Sequence, residues 1–161
     1  EIGSLTVGSY TFKLYDYLRK DMDGIPRPIH TYHGESVLRK ERTGSWVKEN
    51  IVRDPQLLRK GNGWAEYVIG ESPLLYFGLY RYEFEKEIEG DTKGVFHVLT
   101  LVDGEKVEIS SKAHPERSYI QNYLDVVVVP AGMGRYVIRN LGNQTVCIHK
   151  TCLKPNYLGA I

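Results

Sequence analysis

Four consecutive valines, Val126 to Val129, followed at once by Pro130, constrain this chain more tightly than any other stretch. An unbroken β-branched run of this length reads as a strand, and such a run predicts a strand buried on both faces. Proline has no N–H to give to a ladder, so the strand must stop at Pro130. Val-Pro-Ala-Gly-Met-Gly followed by Arg135-Tyr136 then reads as strand, tight turn, strand, with Gly132 and Gly134 available for positive φ.

The same grammar runs through most of the chain: short stretches rich in Val, Ile, Tyr and Phe, punctuated by Gly, Pro, Asn and Asp. The expectation is an all-β fold with strands near residues 10–17, 64–69, 74–84, 95–102, 106–110, 124–129, 135–139 and 145–151. One short helix is expected over residues 33–42, HGESVLRKER, with Gly44 placed to end it. Asp54-Pro55-Gln56-Leu57-Leu58 could add one helical turn. In the 74–84 run, Tyr76, Tyr80, Tyr82 and Phe84 share one face, while Leu75, Phe77, Leu79, Arg81 and Glu83 share the other. A strand that is apolar on both faces at its start and polar at its end suits a double-sheet jelly roll with a polar mouth.

With 161 residues, 42% hydrophobic and 25% charged, the chain can bury one good core and is short for two ordinary domains. A single domain over 1–161 is expected. The net charge of +1, from 21 basic and 20 acidic residues with no long basic block, argues against nucleic acid as a partner. No apolar run has the length of a membrane span, and the N-terminus lacks the order of a signal peptide, so a soluble cytoplasmic protein is the expectation. Cys147 and Cys152 are too few for a disulfide framework and read as free thiols, Cys147 as a small core residue. Asn143-Gln144-Thr145 fits a glycosylation triplet but reads as a turn after Gly142. The first residue is Glu1 rather than Met, which suggests excision from a longer protein.

Three segments carry a family resemblance. YTFKLYDYLRKDMDGIPRPIH (residues 10–30) resembles the start of the C-terminal half of type I phosphomannose isomerases, where an aromatic-basic-aliphatic-Tyr-Asp strand leads into Arg, Asp, Gly, a proline pair and Ile/Leu-His. FHVLTLVDGEKVEI (residues 96–109) and DVVVVPAGMGRYVIRN (residues 125–140) look like the paired core strands of the cupin that closes those proteins. The resemblance implies a cupin-type double-stranded β-helix, with residues 1–30 as a lead-in strand and loop and 60–155 as the jelly-roll core. It also implies that the zinc-binding cupin of such a protein lies upstream of this chain. Zinc is then expected only with that upstream domain, and the isolated chain is expected to be inactive.

A metal-binding cupin presents His-x-His followed by Glu on one strand pair and a further His after the Pro-x-Gly turn, because alternate strand residues point the same way. This chain has no His-x-His, and Arg135 and Tyr136 stand where the last histidine would fall, so no metal site is expected. Of His30, His33, His97, His114 and His149, only His97 lies inside a strand in phase with Leu99 and Leu101. It is either a hydrogen-bonded core histidine or a lining residue of the cavity.

Isomerisation of a sugar phosphate needs an ion to polarise the carbonyl, a base to move a proton, and cations for the phosphate. The resemblance places Ser9 and Lys13 at the Asp and Arg of the family's Ser-Asp-x-x-x-Arg stretch. Lys13 is the catalytic candidate, although it lacks the planar fork of the arginine it replaces. Arg19 is a substrate-binding candidate, or else is ion-paired among Asp16, Asp21 and Asp23. Tyr136 and His97 are the other substrate-binding candidates, and Tyr76, Tyr80 and Tyr136 could line a sugar cavity. Glu83, Glu85, Glu87 and Glu89, at strand spacing with Arg81, read as a solvated edge.

Three functions are compatible with these residues. One is a C-terminal cupin that supports or completes a sugar-phosphate isomerase site with an upstream zinc domain as partner. The second is a metal-free module that binds a sugar or sugar phosphate. The third, a metal-dependent cupin enzyme, requires His97, His149 and a glutamate such as Glu83 to converge. A homodimer paired through sheet faces or edges is compatible with each.

Overall fold

The computed structural model describes residues 13–73 and 75–154. The chain divides into two compact units, Glu1–Val52 and Arg53–Ile161.

In the first unit, Lys20 and Pro26 form a single antiparallel bridge around a turn. The Asp21 carboxylate accepts the N–H groups of Asp23 and Ile25, each at 3.0 Å, as Asp side chains do in turns. Two short helices follow, α1 (Thr31–Val37) and α2 (Gly44–Asn50). The strand expected over 10–17 is absent from its described part. Residues 13–17 are irregular, because Tyr17 and Leu18 take φ of 52° and 54°, which ends any extended run; residues 10–12 lie outside the described residues. The helix expected over 33–42 is α1, which stops at an extended Leu38 with ψ 126°. Gly44 opens α2 instead of closing a helix, behind Thr43 in the extended conformation of an N-cap.

The second unit holds ten strands: β1 (Gln56–Gly61), β2 (Trp64–Gly70), β3 (Phe77–Phe84), β4 (Glu87–Asp91), β5 (His97–Asp103), β6 (Lys106–Ser111), β7 (Ser118–Asn122), β8 (Val126–Val129), β9 (Arg135–Asn140) and β10 (Val146–Leu153). They form two antiparallel sheets, ordered β1-β2-β3-β10-β5-β8 and β4-β9-β6-β7. From β3 onward the chain changes sheet at nearly every connection, and only the β6–β7 link stays within one sheet. Exchange of strands between facing sheets is the double-sheet jelly roll.

The helical turn expected near 54–58 is strand β1. Its partner β2 returns across the two-residue loop Asn62-Gly63, with Gly63 at φ 71°, and Asn-Gly between strands is a strong hairpin signal. Strands β4 and β7 were not expected from the sequence. Pro130 ends β8 as expected, but a 3₁₀ turn, Ala131–Met133, then carries the chain to the other sheet rather than into a hairpin. Only Gly134 of the two glycines there has positive φ, 65°. The valine run is not buried on both faces: β8 is an edge strand paired only with β5, and Val126 and Val128 are 64% and 59% exposed.

The core lies between the sheets, built by Tyr82, Phe84, Leu99, Leu101, Val129, Val146 and Ile148 facing Ile88, Val107, Ile109, Tyr136 and Ile138. Gln121 of β7 crosses the gap, donating from its amide to the carbonyls of Leu99 (2.9 Å) and Asp125 (2.8 Å). Cys147 lies outside this cluster, between the inward-facing Val146 and Ile148. Its thiol is pushed up to about 11, chiefly by burial. Both cysteines are free.

Candidate functional site

Alternation along the strands carries the core's inward columns into a polar region. On β10 the column reads Val146, Ile148, Lys150; on β3 it reads Phe84, Tyr82, Tyr80; on β5, Leu101, Leu99, His97. Register places Glu66 opposite Tyr82 and places Lys150 between Tyr80 and Leu99. Here the sandwich opens into a cavity of about 700 Å³, walled by Arg59, Glu66, Tyr80, Tyr82, His97 and Lys150, with Glu89, Asp91 and Arg135 toward its rim.

Glu66 and Lys150 are 3% and 8% exposed, so each requires a charge partner. The Lys150 ammonium donates to Glu66 Oε1 at 2.6 Å and to the Tyr82 hydroxyl at 2.9 Å. Its charge also sits 4.6 Å and 4.7 Å from the ring centres of Tyr80 and Tyr82. Arg59 Nε donates to the other Glu66 oxygen, and its Nη2 donates to the Glu89 carbonyl at 2.8 Å. Burial raises the Glu66 carboxyl, but Lys150 and Arg59 outweigh it and hold the group below its usual range. Burial drives the Tyr82 and Tyr136 hydroxyls well above the usual phenol range. Glu89 is lowered by its hydrogen bond to Lys112, with Arg135 adding at 2.9 Å.

His97 is 4% exposed and its Nδ1 lies 2.8 Å from the Tyr136 hydroxyl. Burial, with Lys150 adding, lowers its pKa to about 4. The two sequence alternatives for His97 therefore merge, since the ring is hydrogen-bonded in the core and also lines the cavity. Tyr136 is fully buried behind it. Gly90 keeps the space for that ring, because a Cβ there would come within 2.2 Å of it.

Lys13 and Arg19 lie in the other unit. Lys13 is tied through its backbone to His30: its carbonyl accepts the His30 N–H at 2.7 Å, and its N–H donates to His30 Nδ1 at 3.3 Å. The ion pair considered for Arg19 is made by Arg27 instead, which holds both oxygens of Asp16 at 2.6 and 2.9 Å. The residues that sequence reasoning missed are Glu66, Lys150 and Arg59. Their strands were visible for β2 and β10, yet a lone charged residue in a strand carries no mark of facing inward until its neighbours' phase is known.

The acidic run Glu83 to Glu89 is split between sheets, with Glu83 on β3 and Glu87 and Glu89 on β4. His149 and Glu83 are out of phase with Lys150 and Tyr82, so they do not converge with His97. Among the described residues, no three of His, Cys, Asp or Glu gather to hold a metal. The cavity's donor set does not fit a divalent cation either: its carboxylate is held by an ammonium and a guanidinium, and its imidazole is engaged through Nδ1.

No helix among the described residues is long and apolar enough to cross a membrane. No protein-family model matches the sequence, and no curated protein does. Solved structures do match. The mannose 6-phosphate isomerase of Bacillus subtilis aligns at 17% identity with a TM-score of 0.62, over 89% of this chain and 40% of that one. The chain thus spans well under half the length of that isomerase. The plu4264 protein of Photorhabdus luminescens aligns at 11% identity and TM-score 0.51, over 69% of this chain and 97% of that one. The Cnp3 cupin domain of Schizosaccharomyces pombe aligns at 17% identity and TM-score 0.49, over 64% and 68%. With its two antiparallel sheets exchanging strands, the chain has the cupin fold.

Proposed function

We propose that this chain is a cupin module of a mannose 6-phosphate isomerase-like protein that holds a sugar or sugar phosphate between its two sheets without a metal of its own. The observation that carries this reading is the cavity walled by Lys150, Arg59, Glu66, His97 and Tyr80. Small-molecule sites are concave, with apolar walls and a few converging polar groups. Tyr80 offers a ring face for a sugar, His97 faces the ligand, and Tyr136 acts through His97 by holding its ring.

A second reading is favoured by the alignment of 89% of this chain with part of a mannose 6-phosphate isomerase. In it the module supports or completes an isomerase site whose zinc ligands belong to an upstream domain, with Lys13 as the catalytic cation and Arg19 as a phosphate contact. On either reading the protein works in the cytoplasm, and a homodimer is compatible with both.

Isothermal titration of the purified chain with mannose 6-phosphate and fructose 6-phosphate, each with and without zinc, tests these readings. Heat that is independent of zinc is expected. Absence of heat with either sugar phosphate would sink the module reading and leave the dependent-domain reading, whereas binding that requires zinc would overturn the claim that no metal is used here. Loss of binding in Lys13→Ala or Arg19→Ala would move the site to the first unit.

A further inference from the structure

The cavity's inner end presents hydrogen-bond donors, and its side-chain acceptors are already engaged. Each oxygen of Glu66 is taken, one by Lys150 and one by Arg59. The shared carboxylate therefore faces two cations, the buried Lys150 ammonium and an Arg59 guanidinium whose side chain is 44% exposed, so positive charge exceeds negative in this cluster. An incoming anion meets that excess with charge-assisted hydrogen bonds.

Proton bookkeeping extends the pattern to His97. An ammonium can only donate, so the Tyr82 oxygen accepts from Lys150. The Tyr82 hydroxyl also interacts with Tyr136, and Tyr136 with His97 Nδ1. Tyr136 is fully buried, and of its two partners the neutral imidazole nitrogen is the stronger acceptor, so its hydroxyl donates to His97 Nδ1. The neutral ring of His97 then carries its hydrogen on Nε2. Nδ1 makes the only hydrogen bond of this ring among the described residues, so the Nε2–H is left for the cavity.

We propose that the inner end of this cavity is an oxyanion site. The ligand's phosphate ester or carboxylate sits against the Lys150 ammonium and receives the Nε2–H of His97, while sugar hydroxyls lie over Tyr80 toward the Asp91 rim. The inference rests on the sugar-binding reading above and makes it specific, since a neutral sugar can accept these hydrogen bonds but brings no charge to oppose the two cations. Charge-assisted hydrogen bonds of this kind are roughly twice as strong as neutral ones.

The test titrates mannose 6-phosphate, mannuronate, mannose and inorganic phosphate into the wild-type chain and into Glu66→Gln/Lys150→Met, at constant ionic strength. One or both anionic sugars should bind at least tenfold more tightly than mannose, and the double variant should lose that preference, the anion binding no more tightly than mannose. Preference for mannose 6-phosphate identifies a phosphate ester, and preference for mannuronate a carboxylate. Mannose binding as tightly as the anions would overturn the oxyanion site and leave the sugar reading standing. Inorganic phosphate binding without any sugar would do the opposite, and silence from all four probes would overturn both. Independently of any variant, ¹⁵N spectra of wild-type His97 should show a protonated Nε2 that shifts when the anion is added; a proton on Nδ1 would refute the proposed donor set.

Discussion

His97 gives the site a pH signature of definite sign. Its folded pKa of about 4 lies below the ordinary value of 6.5, for burial first and Lys150 second. Above that ordinary value both folded and unfolded forms are neutral and the group is silent. As pH falls below it the unfolded chain takes up a proton that the folded chain refuses, so stability declines until the folded pKa is reached. Between pH 7 and 5 the expected loss is about 2 kcal/mol. Urea unfolding of wild type and His97→Gln at both pH values measures it, and the variant should show a much flatter dependence. His149, lowered by burial and Arg81, acts in the same direction, so some slope should remain. The inward phase of His97 was legible from Leu99 and Leu101 by simple alternation. Its partner Tyr136 was not, because that residue belongs to β9 of the facing sheet, 39 positions away.

At the scale of the element, β8 shows where a local reading goes astray. A β-branched run says strand, but only the sheet order says how many faces are covered. Because β8 ends the six-stranded sheet, its side chains divide, with Val129 2% exposed and Val128 59% exposed. Val128→Lys should therefore change stability by no more than about 0.5 kcal/mol and reduce any edge-to-edge association. Val129→Lys should be severely destabilising, since it places a cation in the core without a partner. Chemical denaturation of the two variants compares them directly, and equal losses would contradict the assignment of faces. The missed β1–β2 hairpin is different in kind. Its Asn62-Gly63 loop is a local hairpin signal, and the strand it closes, β1, begins inside the 54–58 stretch expected as a helical turn.

For the whole molecule, every member of the buried hydrophobic cluster belongs to the unit Arg53–Ile161. A fragment beginning at Arg53 should accordingly keep β-sheet circular dichroism and unfold in one cooperative transition. A broad, uncooperative melt would show that the sandwich needs more of the chain than its core suggests. Most strand positions, the polar mouth and the jelly-roll class could be read from short β-rich runs and their punctuation, because period-two alternation and proline's missing N–H act within a few residues. Sheet membership could not be read in this way. The Glu83 to Glu89 run looks continuous on paper, yet the chain changes sheet inside it.

The sequence by itself determined the β class, most strand positions, the inward phase of His97 and the lack of a His-x-His ligand pattern. Only the tertiary structure decided that Glu66, Arg59, Tyr82 and Lys150 meet, 84 residues separating the buried acid from its ammonium. The reason is physical: alternation is a property of one strand, whereas a charge cluster depends on register among strands far apart in the chain, which packing of the whole sandwich sets.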